Sequence, residues 1–240
     1  MERVIQTALG EVGYLEKASK SNLYSKTGNS GSANYTKYAN DMSKYSAGIF
    51  ANGYAWCDTF VDWCFTKAYG SETALKLIHG WSAYTPTSAG YFKNHNQWHS
   101  TPKRGDVVFF KDAKGTICHT GIVCNVADGA IITVEGNTSG ASGVVANGGG
   151  VAKKKYPIGY GKIAGYGRPD YSILKNKEQT ERGEKGMYNK IEDCPLWSQP
   201  YVKAAVNSGY IKGTPDGKLN LDDTKIWCLV LMLRIMGVMQ

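Results

Sequence analysis

Charge, histidine and long apolar runs are all scarce in this sequence. Only 20% of its 240 residues are charged, and only four are histidine. A disordered tail or a solvated helical rod would carry more charge, so the chain is expected to fold around a packed core. The longest apolar run, Trp227 to Leu233, stops at Arg234. A membrane-spanning helix needs about 20 apolar residues, so membrane insertion is not expected. The N-terminus, M-E-R-V-I-Q-T-A-L, lacks the charged-then-apolar pattern and the cleavage site of a secretory leader. The expectation is therefore a chain made in the cytoplasm, which would act outside only if another agent released it. The six cysteines fall as Cys57 and Cys64, Cys118 and Cys124, Cys194 and Cys228. None of these spacings is a zinc pattern, and thiols in a reducing compartment are not expected to pair.

Glycine and tyrosine are plentiful, at 29 and 16 residues, and 42% of the chain is hydrophobic. That suffices for one sizeable core, or for one core plus a small module. The net charge of +8 and pI near 9.0 favour polyanionic partners. No arginine-rich helix or basic stripe with interleaved aromatics is visible, so nucleic acid is not expected among them.

Apolar periodicity organises the first half. Val4, Ile5, Ala8, Leu9 and Val12 lie at helical spacing and Gly13 ends the run. Residues 19–33, rich in Ser, Asn and Gly, read as a loop. Tyr35, Tyr38, Met42 and Tyr45 suggest a second helix. From Cys57, the positions Cys57, Phe60, Val61, Cys64, Phe65 and Ala68 form one helical face, while Asp58, Thr59, Asp62, Thr66 and Lys67 fall elsewhere. Cys57 thus opens an amphipathic helix that Gly70 closes. After Pro102 the pattern turns to strands: Asp106–Phe110, then Ile117–Val126, the turn Asp128-Gly129, and Ala130–Asn137. Residues 139–150 read as a glycine-rich loop, and Lys162–Arg168 as a last strand. Helices first and antiparallel strands after them make the fold class α+β. Composition shifts at Lys175. Residues 175–190, dense in Lys, Glu, Gly and Asn, read as a linker, with domain bounds of 1–171, 172–192 and 193–240. In the last segment Ser198 is expected to cap a helix stopped by Gly209, Thr214-Pro215-Asp216-Gly217 to turn, and Asp222 or Asp223 to cap a second helix through Leu233.

A cysteine nucleophile needs a base and donors for an oxyanion. A helix N-terminus offers partial positive charge and free backbone N–H groups, which favour a thiolate and can bind the oxyanion. Cys57 occupies such a position, in what is expected to be an open groove. Cys64, two turns further on, reads as a small buried hydrophobe. The base has to be a histidine within reach of the sulfur. His119 shares a strand face with Ile117, Gly121 and Val123, and Cys118 and Cys124 fall on the other face as expected core residues. On the next strand Glu135 and Asn137 share a face and are placed to orient the imidazole and fix its tautomer. His79, His95 and His99 lie in a polar aromatic stretch without such partners and read as surface or groove residues.

These residues also carry a resemblance. A-W-C-D-T-F-V-D-W-C at 55–64, R-G-D-V-V-F-F at 104–110, H-T-G-I-V at 119–123, E-G-N-T at 135–138 and G-Y-G-R-P at 165–169 resemble the CHAP family of peptidoglycan amidases and endopeptidases. The likeness runs over residues 1–171 with the motifs in order. It implies a papain-like α+β fold with N-terminal helices and an antiparallel sheet, Cys57 as nucleophile, His119 as base, and Glu135 with Asn137 completing the site. Some members bind calcium through acids just before the nucleophile. Here that stretch is A-G-I-F-A-N-G-Y-A-W, so no metal and no other cofactor is carried over.

The segment W-S-Q-P-Y-V-K-A-A-V-N-S-G-Y-I-K-G-T-P-D-G-K-L-N-L is similar to a single S-layer-homology repeat. That likeness implies a helical module that holds the chain on an anionic wall polymer, with homodimerisation as one way for a single copy to act. Together the two resemblances imply a phage or prophage endolysin, released through a holin, whose substrate is bacterial peptidoglycan. The competing readings are a toxin or effector amidase with the same chemistry, and a non-catalytic wall-binding protein on the same fold.

Overall fold

A computed structural model describes residues 1–174, 187–195 and 198–237. The chain divides into two units, Met1–Asp170 and Tyr171–Gln240. The expected linker at 172–192 lies outside the described residues over 175–186.

The first unit runs α1 (Glu2–Gly10), α2 (Lys37–Met42), α3 (Cys57–Tyr69), α4 (Ser71–Ile78) and α5 (Thr85–Asn94), then β1 (Trp98–His99), β2 (Val107–Lys111), β3 (Ile117–Ala127), β4 (Ala130–Thr138), β5 (Gly150–Pro157) and β6 (Ile163–Gly167). The strands form one sheet in the order β1-β6-β2-β3-β4-β5, with antiparallel neighbours throughout. The mixed helix and antiparallel-sheet architecture agrees with the α+β expectation. The β3–β4 turn has positive φ at both Asp128 and Gly129, the conformation that suits the twist of a two-residue hairpin.

Three features depart from the sequence reading. The helix opened by Cys57 is not amphipathic in place. Asp58, Thr59, Asp62 and Thr66 are buried along with the apolar face, and on the supposed polar face only Lys67 is exposed. The cause is enclosure: α3 packs against α1, α2, α4, β3 and β4. Second, the segment 71–100 holds α4, α5 and β1, where polarity and aromatics hide the helical faces. Third, β5 forms from V-A-K-K-K-Y-P. Its three lysines resemble a solvated loop, yet Lys154 and Tyr156 turn inward while Lys153 and Lys155 face solvent.

α3 can approach β4 closely because position 136 is glycine. A Cβ there would lie 2.5 Å from Phe60 Cβ and 2.9 Å from the Trp56 ring. Any larger residue would push the start of α3 away from the end of β4. Trp56, the residue before α3, is fixed further by its indole N–H, which donates to Glu16 Oε2 at 2.9 Å in the interior, and by stacking on Tyr38 at 5.4 Å.

The second unit pairs Tyr188 with Leu221 and contains a 3₁₀ turn (Ile191–Asp193), α6 (Gln199–Asn207) and α7 (Asp223–Ile235). Its core gathers Cys194, Val202, Ala205, Leu221, Ile226 and Leu233 among others, with Tyr188 and Ile191 packed against it. Residues 187–192 are therefore part of this unit rather than linker, because Tyr188 and Ile191 supply apolar surface to a small core. Asp222 accepts from the Lys225 backbone N–H at 2.8 Å and caps α7. Ser198 stands at the start of α6, but its hydroxyl donates to the Pro195 carbonyl instead of accepting from the helix.

Candidate active site

α3 delivers Cys57 as its first residue. The leading N–H groups of a helix have no intrahelical acceptor and carry the positive end of the helix dipole. β3 delivers His119 and β4 delivers Glu135. The imidazole Nε2 and Glu135 Oε2 lie 3.0 Å apart, and both side chains are 0% exposed. A carboxylate can only accept, so the ring proton on this side sits on Nε2 and Nδ1 is left for the sulfur. Nδ1 makes no hydrogen bond of ordinary geometry among the described residues, the looseness common between nucleophile and base before substrate arrives. Burial alone would push the imidazole pKa down. Cys57 and Glu135 outweigh it and hold the ring up at about 9.

The carboxylate is held in turn. Thr133 donates its hydroxyl to Glu135 Oε1 at 2.5 Å, and the Tyr156 hydroxyl lies 3.3 Å from Oε2. Space for the side chain comes from Gly121 on β3, where a Cβ would stand 2.5 Å from Glu135 Cγ. The imidazole face rests against Phe110, with ring centroids 5.8 Å apart.

Cys57, His119 and Glu135 are thus brought together, whereas no hydrogen bond joins Asn137 to the ring among the described residues. Its backbone turns into the left-handed region at φ 53°, and the β4–β5 register shifts between Glu135 and Thr138. Strand alternation fails there, and the amide of Asn137 donates to the Ala146 carbonyl at 3.3 Å. Its Oδ1 is buried without a hydrogen bond among the described residues. The expected open groove also needs correction, since Cys57 is only 5% exposed.

The other cysteines sort by surroundings. Cys64 is fully buried, and burial pushes its thiol well up. Cys124 is buried beside a bulge in the β3–β4 pairing, as expected of a core residue. Cys118 is only half-buried, because β3 begins there at the rim of the sheet, near enough to Cys57 for the two sulfurs to interact. His79 and His95 stack face to face at 3.8 Å, and His79 Nε2 lies 2.7 Å from Gln97 Oε1. His99 is half-buried in β1. None of these three histidines has a contact with Cys57 among the described interactions.

Two acids next to the nucleophile went unrecognised in the sequence because they read as the solvent face of α3. Asp58 accepts from the Ser88 hydroxyl at 2.7 Å, and Asp62 accepts from the Ser82 backbone N–H at 3.0 Å. Burial raises Asp58 to about 7 against the Ser88 bond, and burial with the Asp58 charge holds Asp62 well above the usual carboxylate range. They tie the segment 82–88 to the first turns of α3. Thr133 was legible only as a strand residue, and the segment that carries Tyr156 was not read as a strand, because its three consecutive lysines hide the alternation.

Neither the curated proteins nor the solved structures compared with the chain contain a match. Residues 49–137 match the CHAP domain, whose members are generally cysteine-dependent hydrolases acting on peptidoglycan; the match encloses Cys57, His119, Glu135 and Asn137 and supports a CHAP-domain peptidoglycan hydrolase.

Proposed function

We propose that the Met1–Asp170 unit cleaves an amide bond of bacterial peptidoglycan, with Cys57 as nucleophile, His119 as base and then acid, and Glu135 as the group that orients the imidazole. The observation that carries the reading is the buried Nε2–Oε2 contact at 3.0 Å, which leaves Nδ1 toward a cysteine at the start of a helix. The sulfur attacks the amide carbonyl carbon, and the oxyanion meets the leading N–H groups of α3. His119 then passes its proton to the departing amine. A thioester remains on Cys57. Water, deprotonated by the same imidazole, hydrolyses it and restores the thiol.

Mass spectrometry of muropeptides from digested walls tests this reading. An N-acetylmuramoyl-L-alanine amidase frees the amino group of the first stem residue. An endopeptidase frees an amino group within the stem or cross-bridge. Products with new reducing sugar ends, or no products at all, would refute amide cleavage here.

Glu135→Gln keeps an acceptor for the imidazole but removes the charge that stabilises imidazolium. Activity is expected to fall by about tenfold to a hundredfold, less than for loss of Cys57 or His119. A variant with parental kcat/KM and unchanged circular dichroism would reduce Glu135 to a packing residue.

We further propose that the Tyr171–Gln240 unit holds the enzyme on an anionic wall polymer, in the setting of an endolysin. The compactness of that unit and its likeness to an S-layer-homology repeat support this role. A chain ending at Asp170 is expected to keep activity on soluble muropeptides and to pellet less with intact walls, since tethering raises local substrate concentration. Equal pelleting by the two forms would remove the targeting role.

A further inference from the structure

The Glu135 carboxylate is tied to more than His119. Tyr156, 1% exposed on β5, places its hydroxyl 3.3 Å from Glu135 Oε2 and also 3.3 Å from the Gly143 carbonyl. A phenol has one proton to give. Two acceptors at equal distance, one buried and one half-buried, therefore compete for it. One belongs to the acid that orients the imidazole. The other belongs to the glycine-rich loop 139–149, between β4 and β5.

The same loop is gripped at other carbonyls from the same strands. Lys154 donates to Ser139 and Ala141, and Asn137 donates to Ala146. Gly143 itself sits at φ 70°, where only glycine is unstrained. The position of its carbonyl is thus set by a backbone that a side chain would disturb. Other titratable groups face the acid–imidazole pair as well. They are Cys57 from α3 and Lys154 from β5, with Cys118 close to the sulfur and Tyr160 against Tyr156. Burial lowers the Lys154 pKa, against the opposing pull of the Glu135 charge.

We propose that Tyr156 is a positioning residue whose single hydroxyl proton couples the 139–149 loop to the Glu135–His119 pair. This rests on the hydrolase reading for its catalytic meaning, but the coupling itself is a property of the fold. When the hydroxyl points to Oε2, it shares that oxygen with the imidazole N–H and weakens the hold on imidazolium. When it points to Gly143, Oε2 is left to His119 while Thr133 keeps its bond to Oε1. A substrate segment that seats on the loop and moves Gly143 therefore changes the basicity of the imidazole at the moment of binding.

The test follows the His119 titration by NMR of ring-labelled histidine in the full chain, with the resonance assigned by His119→Asn, beside the pH profile of wall cleavage. Tyr156→Phe keeps the ring packing on Phe110 and removes only the hydroxyl. The His119 midpoint is expected to rise by roughly half to one pH unit, and the alkaline limb of cleavage with it. Gly143→Ala strains the loop carbonyl away and leaves the hydroxyl to Glu135, so the midpoint is expected to fall. In the Tyr156→Phe background the Gly143→Ala shift should vanish. An unmoved midpoint in either single variant, or a Gly143→Ala shift that persists without the hydroxyl, overturns the coupling. If the midpoints move as expected while the parent cleaves no wall, the hydrolase reading fails and the coupling stands.

Discussion

Cys57→Ser is expected to abolish wall cleavage while the fold survives. Serine is nearly isosteric with cysteine, but a hydroxyl is a far weaker acid and nucleophile than a thiol. Turnover should drop by roughly 10³-fold or more, read as loss of turbidity clearance and of released muropeptides. The control is Cys64→Ser. That thiol is 0% exposed, and an unpaired hydroxyl in its place should cost about 1–3 kcal/mol of stability with little effect on the chemistry. Clearance retained by Cys57→Ser but lost in Cys64→Ser or Cys118→Ser would move the nucleophile to another residue. Alkylation is a weaker assay here, because Cys57 is buried and Cys228 is exposed. Labelling speed follows access as well as thiolate character, so inactivation rather than total labelling has to be scored.

His119→Ala is expected to cost a factor of the same order, and the double variant with Cys57→Ser little more, because nucleophile and base act as one unit. The alanine variant also takes a donor from a carboxylate that is fully buried. His119→Asn keeps an amide donor in that place, so low activity with near-parental stability in this variant assigns the loss to chemistry. The pH dependence has a definite sign. The folded-state pKa of His119 is raised from 6.5 to about 9. Imidazolium beside Cys57 and Glu135 therefore persists through neutral pH, and activity should fall as pH passes about 9. The linked stability is fully present below 6.5 and is lost as pH climbs toward 9. His119→Asn should flatten that part of the stability curve. A parental slope in the variant would show that His119 is not the group that titrates there.

Local pattern reached some of this molecule and not the rest. The start of α3 at Cys57 and its end at Gly70 were legible because a helix announces its apolar face and its glycine stop within a dozen residues. The hairpin of β3 and β4 was legible for a similar reason, since alternation and an Asp-Gly turn are local signals. Alternation also placed His119 and Glu135 on adjoining strands, facing one another. It could not follow the chain one step further. At Gly136 and Asn137 the strand bends to admit Phe60 and Trp56, and the Asn137 amide swings to Ala146.

The sequence alone determined which residues could do chemistry, because nucleophile, base and acid each require a side-chain type at the start of a helix or on a strand. Tertiary structure decided what surrounds them. Asp58 and Asp62 look solvated on a helical wheel, yet they are buried, and the distant segment 82–88 supplies their hydrogen bonds through Ser88 and Ser82. Lys154 and Tyr156 look like a polar loop, yet they lie inside because β5 completes the sheet beside β4. Burial is a sum over partners far apart in the chain, and periodicity within one segment holds no record of those partners. The chemical identity of the candidate site was therefore readable in short motifs, whereas its pKa values, its enclosure and its tie to the 139–149 loop arose only once distant segments met.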